Sequence, residues 1–364
     1  MTESVGNLAA DLGRRFGHGK AAAWDPIGLQ FGDPDAGVDA VAVCHEVTPQ
    51  VAGQLIAAGV DLVVSYHPLL FRPVTSLVAG SSPAGLAHRL IAGGVAMVVV
   101  HTAFDVMPGG AADQLAGAVG LEQASGFGPS WGAKTSKVIT FVPVEHADGV
   151  ADAMTLAGAG EIGAYTACSY RSEGIGTFRP STEARPYSGQ RQVLNREAEV
   201  RIEMVCPDVR VARVVAAMVA AHPYEEPAFD VVETRSNAGF IGRQGRLPDP
   251  LPVAALADRI AAELGGVIRV AGDGDVSRIA VIPGSGGSFL LECDADVVVT
   301  GDVNHHQARA ALAAGMAVID PGHAATERPG VRALYAAVAE MMDSTIDLTN
   351  LDPDPWTERN ETEQ

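Results

Sequence analysis

The sequence predicts an α/β fold in which helices cover both faces of a sheet. Three short apolar runs rich in β-branched residues have the length and composition of fully buried strands, at 38–43, 61–65 and 95–101. Segments with helical spacing of their apolar residues follow them, at 49–58, 83–92 and 110–119. The same texture returns near the end of the chain, with strands at 278–282, 296–300 and 316–319 and helices at 252–264, 306–314 and 332–342. Because apolar strands alternate with amphipathic helices in both parts, we expect one α/β core domain.

The two α/β parts, at 1–134 and 236–349, are separated by a stretch of different character. Strands are expected there at 137–143 and 199–206, and helices at 146–157 and 209–221. The β-α-β order before the Pro-rich stretch at 179–192 and after it is typical of a small ferredoxin-like α+β unit, which we predict as an insert at 135–235. The last segment, 350–364, is acidic, and we expect a frayed tail.

Composition excludes several classes of protein. The chain has 364 residues, of which 47% are hydrophobic, so it can bury a substantial core. Its net charge of −19 repels nucleic acid and anionic membranes, and we expect it to bind neither. The start lacks the apolar region of a secretory signal, and no apolar run approaches the roughly 20 residues of a membrane span. The four cysteines form no CxxC pair, which argues against a disulfide framework or a zinc finger, and we expect a cytoplasmic protein.

Polar side chains that can bind metals follow three of the predicted strands. They are His67, His101, Asp105, His323 and Glu327. In α/β sheets, ligands gather in the crevice beyond the carboxyl ends of the strands, where we expect these side chains to meet. His323 and Glu327 are four residues apart, so they share one face if Gly322 opens a helix.

The two imidazoles of His67 and His323 and the two carboxylates of Asp105 and Glu327 favour a transition-metal site. The set suits Zn²⁺, Mn²⁺, Fe²⁺, Co²⁺ or Ni²⁺ better than Ca²⁺. We expect one or two divalent ions per chain, with two if a carboxylate bridges them, and activation of a water molecule. The alternative for each histidine is a hydrogen-bonded structural role.

Four other motifs have both a chemical and a structural interpretation. GSGGS at 284–288 could cradle a phosphate with its backbone N–H groups or form a tight turn. His306, which follows TGD, could line the same crevice or lie on the surface. HPYEEP at 222–227 could be a second metal site, although a loop that packs its tyrosine is favoured. Cys44 and His45 are adjacent on a strand, which points their side chains apart and disfavours a nucleophilic pair.

Several motifs together resemble the NGG-one-interacting-factor-three-like family, whose members are known as GTP cyclohydrolase 1 type 2 homologues. WDPIGLQFG at 24–32 resembles the family's WDNxGLxxG, and YHP at 66–68 stands where the family has HHP. The segment 101–105 is similar to HTxxD, TGD at 300–302 with His306 to TGD…H, and 320–327 to DxGHxxxE. HPYEEPAFD at 222–230 resembles the closing motif of the insert in longer bacterial members. The resemblance covers nearly the whole chain in the same order.

The resemblance implies two pseudo-symmetric α/β halves with a dinuclear metal site between them. It also implies a ring-shaped homohexamer whose sites face an internal cavity. Carried over by motif, the metal ligands are His67, Asp105, His323, Glu327 and Tyr66. Tyr66 stands where the family has a histidine, and a phenol, with an ordinary pKa near ~10, is a poor ligand unless ionised. Pro26 and Glu46 also depart from the family's Asn and Asp.

We therefore expect a metal-dependent, hydrolase-like protein that acts on a small nucleotide-like or C–N substrate. His101 and His306 are the candidate catalytic residues, for proton transfer or for orienting ligands. The alternative is a non-catalytic, metal-binding regulatory assembly in which the insert binds a partner. Nucleotide binding without metal ranks last.

Overall fold

The chain forms two compact units, which are described separately. The computed structural model describes residues 3–131, 135–162, 165–234, 239–265, 267–351 and 354–356. One unit consists of Met1–Gly132 and Ala238–Gln364, and the other of Ala133–Asn237. The boundary residues 134, 235 and 236 and most of the predicted tail at 350–364 lie outside the described residues.

The first part of the larger unit alternates strands and helices as the sequence predicts. Its strands are β1 (Glu3–Ser4), β2 (Gly28–Phe31), β3 (Gly37–Val38), β4 (Val41–Cys44), β5 (Leu62–Ser65), β6 (Ala96–Val99) and β7 (Glu122–Trp131). Its helices are α1 (Val5–Arg15), α2 (Pro49–Ala57), α3 (Pro83–Ala92), α4 (His101–Val106) and α5 (Ala111–Val119). Helices α2 and α3 begin where the Thr48 and Ser82 hydroxyls accept backbone N–H groups of the first turn, each followed by a proline.

The smaller unit is an antiparallel sheet with two helices. In chain order it contains β8 (Thr135–Pro143), α6 (Ala147–Leu156), β9 (Tyr170–Phe178), β10 (Asn195–Pro207), α7 (Val211–Ala221) and β11 (Phe229–Thr234). The strands pair in the order β11-β8-β10-β9. Alternate residues of β8 and β10, such as Val138 and Ile202, pack against Met154 of α6 and Met218 of α7. The opposite face of the sheet carries no helix among the described residues.

The last part of the chain completes the larger unit. Its strands are β12 (Gly239–Pro252), β13 (Arg269–Ala271), β14 (Asp275–Ser285), β15 (Val297–Gly301), β16 (Ala317–Asp320) and β17 (Thr345–Asp347). Its helices are α8 (Val253–Leu264), α9 (His305–Ala313) and α10 (His323–Ala339). Asn304 and Gln307 form a capping box at the start of α9.

The larger unit contains two large sheets, each covered by helices on both faces, and a two-stranded sheet of β1 and β3. The strands pair in the orders β17-β4-β5-β6-β2 and β13-β16-β15-β14-β12-β7. In the first sheet, Val41 and Val43 pack with residues of α1 and α10, whereas Ala42 and Cys44 pack with residues of α2 and α3. The α/β prediction is therefore confirmed for this unit.

Helix α10 belongs to the cores of both sheets. Its Val331, Leu334 and Val338 pack with the strands β4, β5 and β6, and its Ala325 packs with β14, β15 and β16. The first turns of α10 are thereby held beside the ends of two sets of parallel strands, which fixes the position of Glu327.

The structure extends or corrects several expected elements. The run at 95–101 ends as a strand at Val99, and α4 begins at His101. The helix expected at 332–342 begins earlier, at His323. Strands β7 and β12 were not expected. In the described part of the chain, no helix has both the length and the apolar character needed to cross a membrane.

Candidate metal centre

Three parallel strands deliver polar side chains to one edge of their sheet. His45 directly follows β4, Tyr66 and His67 directly follow β5, and His101 begins α4 just after β6. Because β4 pairs in parallel with β5, and β5 with β6, the carboxyl ends of all three strands meet at this edge.

Helix α10 brings a histidine and a carboxylate to the same place. Gly322 has φ 94° and is followed directly by the first residue of the helix, which confirms that the helix opens there. His323 and Glu327 therefore lie one turn apart on one face, with His323 Nε2 3.0 Å from Glu327 Oε1.

The buried carboxylate of Glu327 is the centre of the site. His45 Nε2 lies 2.8 Å from Glu327 Oε2, and His67 Nε2 lies 3.0 Å from the same oxygen. Glu327 and His45 are each only 3% exposed. A single metal ion could contact His45, His67 and Glu327 together, because one ligand atom of each lies within 4.8 Å of the other two.

The charges around Glu327 stabilise its ionised form. Burial alone would raise the pKa of this carboxyl, but His67 and the hydrogen bonds from the neighbouring imidazoles outweigh burial and lower the pKa well below its usual range. Burial lowers the pKa of His323, but Glu327 and Asp302 together raise it to about 10. Asp302 Oδ2 lies 2.7 Å from His323 Nδ1 and so fixes the orientation of the ring.

The donors fit a divalent transition metal. His323 Nε2 is buried and makes no hydrogen bond of good geometry, although Glu327 Oε1 is close to it. Burial of a ring nitrogen without a hydrogen-bond partner destabilises the fold unless another group, such as a metal ion, binds that nitrogen. Three imidazole nitrogens and one carboxylate are the ligand types of zinc and related metals.

Tyr66 and Asp105 form a separate buried pair beside this group. The Tyr66 hydroxyl donates a hydrogen bond to Asp105 Oδ1, and both side chains are buried. Burial is the main cause that raises the pKa of Asp105 to about 7, although His101 opposes it. Burial and Asp105 likewise raise the pKa of Tyr66 well above its usual value. Between the described residues, no hydrogen bond or ion pair joins Tyr66 or Asp105 to Glu327.

His101 is held in a strained backbone conformation next to the centre. Its φ of 27° lies in the left-handed region, which costs a non-glycine residue on the order of 1–3 kcal/mol. Its Nδ1 lies 2.9 Å from Asp25 Oδ1, and its ring centroid lies 5.2 Å from that of His67. Burial would lower the pKa of His101, but the hydrogen bond to Asp25 and the nearby carboxylates raise it.

Three further motifs from the sequence analysis remain to be placed: His306, GSGGS at 284–288 and HPYEEP at 222–227. His306 is exposed at the start of α9, with its ring centroid 5.4 Å from that of His305. Gly284 has φ 63°, and a Cβ added there would lie 2.5 Å from Glu327 Oε1, so the GSGGS turn borders the site. In HPYEEP, the ring centroids of His222 and Tyr224 lie 4.9 Å apart. Among the described residues, the group of His, Cys, Asp or Glu side chains that could hold a metal ion is the one at Glu327.

His45 is the functional candidate that sequence reasoning missed. The adjacent Cys44 points into the core with Val63 and Leu55, while His45 points to Glu327, as alternation along a strand requires. The signal was present in the sequence, because His45 follows an apolar strand just as His67 does.

Comparison with known proteins identifies the relatives of this chain. The model of the family Duf34/NIF3 (NGG1p interacting factor 3) matches residues 4–355. A Mycobacterium tuberculosis protein named GTP cyclohydrolase 1 type 2 homolog is 39% identical over 361 residues, which are 94% of this chain and 93% of that protein. A Bacillus subtilis protein of the same name is 36% identical and covers 83% of each chain.

Solved structures agree with the sequence matches. A Bacillus cereus protein related to NIF3 is 33% identical, with a TM-score of 0.69 over 97% of this chain and 99% of that one. The Staphylococcus aureus protein SA1388 is 27% identical, with a TM-score of 0.77 over 98% of this chain and 99% of that one. Since the family model spans nearly all of the sequence and two of these relatives exceed 35% identity, the chain belongs to the Duf34/NIF3 family.

Proposed function

We propose that this protein is a metal-dependent, hydrolase-like enzyme whose divalent ion is held at Glu327. The observation that carries this proposal is the convergence of His45, His67 and His323 on one buried carboxylate, with N···O distances of 2.8 to 3.0 Å. The three imidazoles and the carboxylate are all common ligands of transition metals, and their convergence on one buried point is what supports a bound ion over separate hydrogen-bonded roles.

The ligands would be the Nε2 atoms of the three histidines and the two oxygens of Glu327. A divalent ion held by these residues would supply a water molecule of lowered pKa and would polarise the bond to be broken. The chain's own contribution is to hold these donors rigid: Asp302 orients His323, and burial in two cores fixes Glu327.

A second metal position would need the Asp105 carboxylate. In this chain the Tyr66 hydroxyl already engages that carboxylate, and burial raises its pKa to about 7, which leaves the carboxyl about half protonated near neutrality. We therefore propose that His45 supplies an imidazole ligand in place of the histidine that Tyr66 replaces. The metal position at Glu327 then binds its ion more strongly than the second position at Asp105. Binding of two ions depends on ionisation of Asp105.

His101 is our candidate for proton transfer. Asp25 holds Nδ1, which leaves Nε2 to take or give a proton beside the ring of His67. The raised pKa of His101 favours a protonated ring that can donate to a leaving group. His306 stays a prediction for an orienting role.

An exposed aromatic pair beside His101 supports a planar substrate. Trp24 and Phe71 are 59% and 50% exposed, with ring centroids 5.9 Å apart. Trp24 also lies 6.3 Å from His101. A nucleobase or another flat C–N ring could stack on this pair while its reactive bond reaches the metal centre.

At the level of the fold, the topology supports two further proposals. The chain order β-α-β-β-α-β and the strand order β11-β8-β10-β9 support a ferredoxin-like insert at 135–235 between core segments 1–134 and 236–349. The parallel runs β4-β5-β6 and β14-β15-β16 support two pseudo-symmetric halves. The homohexamer and the cytoplasmic location stay predictions.

The test is turnover by metal-loaded protein with GTP, cyclic nucleotides, phosphoesters and peptides as substrates. We expect activity on at least one substrate, lost in His323→Ala and retained in His88→Ala, which changes an exposed histidine of α3. Circular dichroism and size-exclusion chromatography control for fold and assembly. Metal binding by the wild type without turnover on any substrate would overturn the enzymatic part of the proposal.

The Tyr66–Asp105 hydrogen bond favours one alternative, a non-catalytic metal-binding assembly. It occupies the carboxylate that a second metal would need. In that case Tyr66→His would raise the metal content per chain but create no turnover.

A further inference from the structure

The smaller unit contains a cavity of about 580 Å³ on the face of its sheet that α6 and α7 do not cover. Phe141 of β8 and Glu199 of β10 line its floor, and residues of β9 line one wall. Segments at 179–187 and 224–228 fold over the same face. Every lining residue belongs to this unit, and none of them is a residue of the metal centre.

Aromatic rings surround one end of the cavity. The Tyr224 ring lies 6.0 Å from Tyr187 and 6.4 Å from Phe178, and both pairs are tilted by about 46–47°. Both pairs are tilted rather than stacked, and all three rings line the cavity. Clusters of aromatic side chains can bind the head of an organic cation.

Carboxylates make these rings better cation acceptors. The Tyr224 hydroxyl donates to Glu199 Oε1 at 2.7 Å, and the Tyr187 hydroxyl donates to Glu145 Oε1 at 3.2 Å. A phenol that donates to a carboxylate carries more negative charge on its ring, so the ring face attracts a cation more strongly. Glu199 is only 9% exposed, and no Lys, Arg or His forms an ion pair with it within the described residues.

The lining has an acidic balance. It includes Glu173, Glu199, Glu225 and Glu226 against Arg179 and Arg201, and Arg201 is paired with Glu203 at 2.9 Å. An anionic ligand would meet more carboxylates than guanidinium groups. Apolar side chains such as Ile175 and Pro186 complete the wall and suit the body of a ligand.

We propose that this cavity binds a small organic cation, with an alkylated ammonium head against Tyr224 and Tyr187 and next to Glu199. The volume falls within the range of about 300–1,000 Å³ that small-molecule sites occupy. The aromatic part of the HPYEEP motif is then explained: Tyr224 forms a wall of the site, and its neighbour His222 holds the backbone, because Tyr224 N–H donates to His222 Nδ1 at 3.0 Å.

The test compares choline with 3,3-dimethyl-1-butanol, which has the same shape without the charge. Isothermal titration calorimetry and saturation-transfer NMR are carried out on the full chain. We expect saturable binding of choline and binding of the neutral alcohol weaker by about tenfold or more, as a desolvated cation–π contact supplies. No saturable binding of choline to the folded protein, or equal binding of the two probes, would overturn the proposal.

Two variants locate the binding. Glu199→Gln keeps the shape and the Tyr224 hydrogen bond but removes the charge, and we expect choline affinity to fall by about tenfold. Tyr224→Phe keeps the ring face but breaks the link to Glu199, and we expect a smaller loss. Glu233→Gln, an exposed residue of β11 outside the cavity, is the matched control and should bind as the wild type does. Unchanged choline binding in folded Glu199→Gln would contradict the site.

Discussion

His45 Nε2 and Glu327 Oε2 lie 2.8 Å apart although 282 positions separate the two residues in the sequence. His45 comes from the end of a strand in the first sheet, and Glu327 comes from the second turn of α10. Both side chains are buried, so this contact joins the two halves of the larger unit within its interior. The candidate metal centre thus exists only when the first and last parts of the chain fold together.

Replacement of His45 is expected to weaken metal binding. His45→Leu removes one of the imidazoles at Glu327 and leaves apolar volume in its place. We expect affinity for Zn²⁺ to fall by more than about tenfold, since even loss of an outer-shell partner costs that much. Competition with a chromophoric chelator measures the change. The control His88→Leu should bind Zn²⁺ as the wild type does, and equal affinities for all three proteins would remove His45 from the ligand set.

Removal of the Tyr66 hydroxyl is expected to affect stability rather than metal content. Tyr66→Phe leaves Asp105 buried without its hydrogen-bond donor, which costs about 1–3 kcal/mol. Urea unfolding of the metal-free protein measures the loss, and elemental analysis measures the metal. If the metal content of Tyr66→Phe drops in parallel with that of His67→Ala, the hydroxyl is a ligand after all.

A methyl group at Gly284 is expected to disturb the centre. Gly284→Ala must keep φ at 63° and place its Cβ 2.5 Å from Glu327 Oε1, so either the turn or the carboxylate must move. We expect a loss of about 1–3 kcal/mol in stability together with weaker metal binding. Gly53→Ala is the matched control, because Gly53 lies in α2 with no atom near the added Cβ, and it should be neutral or slightly stabilising.

The smaller unit is expected to lose stability as the pH falls below about 6.5. Burial is the main cause that lowers the pKa of His222, whose Nε2 lies 3.0 Å from the Phe141 carbonyl and whose Nδ1 accepts the Tyr224 N–H. Below the unfolded pKa of about 6.5 the unfolded chain takes up more protons than the folded one, so acid favours unfolding.

NMR titration of the His222 ring should give a midpoint below about 6.5, the usual value for histidine. His222→Gln should show a smaller decrease in the free energy of unfolding between neutral and mildly acidic pH. A midpoint at or above the usual value would show that burial does not control this residue.

The strands that the sequence predicts well are those buried on both faces. The runs that form β4, β5 and β6 are buried at every position, so hydrophobicity alone identifies them. In contrast, β9 is mostly exposed and contains glycine and charged residues, and it is a strand because it pairs with β10 over nine residues. Pairing of that kind depends on a partner strand and leaves no local pattern.

Part of the candidate site was also predictable from the sequence. His67, His323 and Glu327 follow predicted strands, and Gly322 marks the helix start that places the last two on one face. The pairing of Tyr66 with Asp105 was not predictable, because it depends on the rotamers of two buried side chains. His45 follows an apolar strand as His67 does, so the same pattern also identifies it as a candidate ligand.

Elemental analysis of the wild type and of Glu327→Gln tests the central claim most directly. Both proteins are purified, reconstituted with Zn²⁺, Mn²⁺ or Fe²⁺ and freed of loosely bound metal, and the fold is checked by circular dichroism. We predict at least one tightly bound ion per chain in the wild type and none in Glu327→Gln, whose amide cannot supply the charge that three imidazoles surround. No bound metal in the wild type, or equal metal in both proteins, would contradict a metal centre at Glu327.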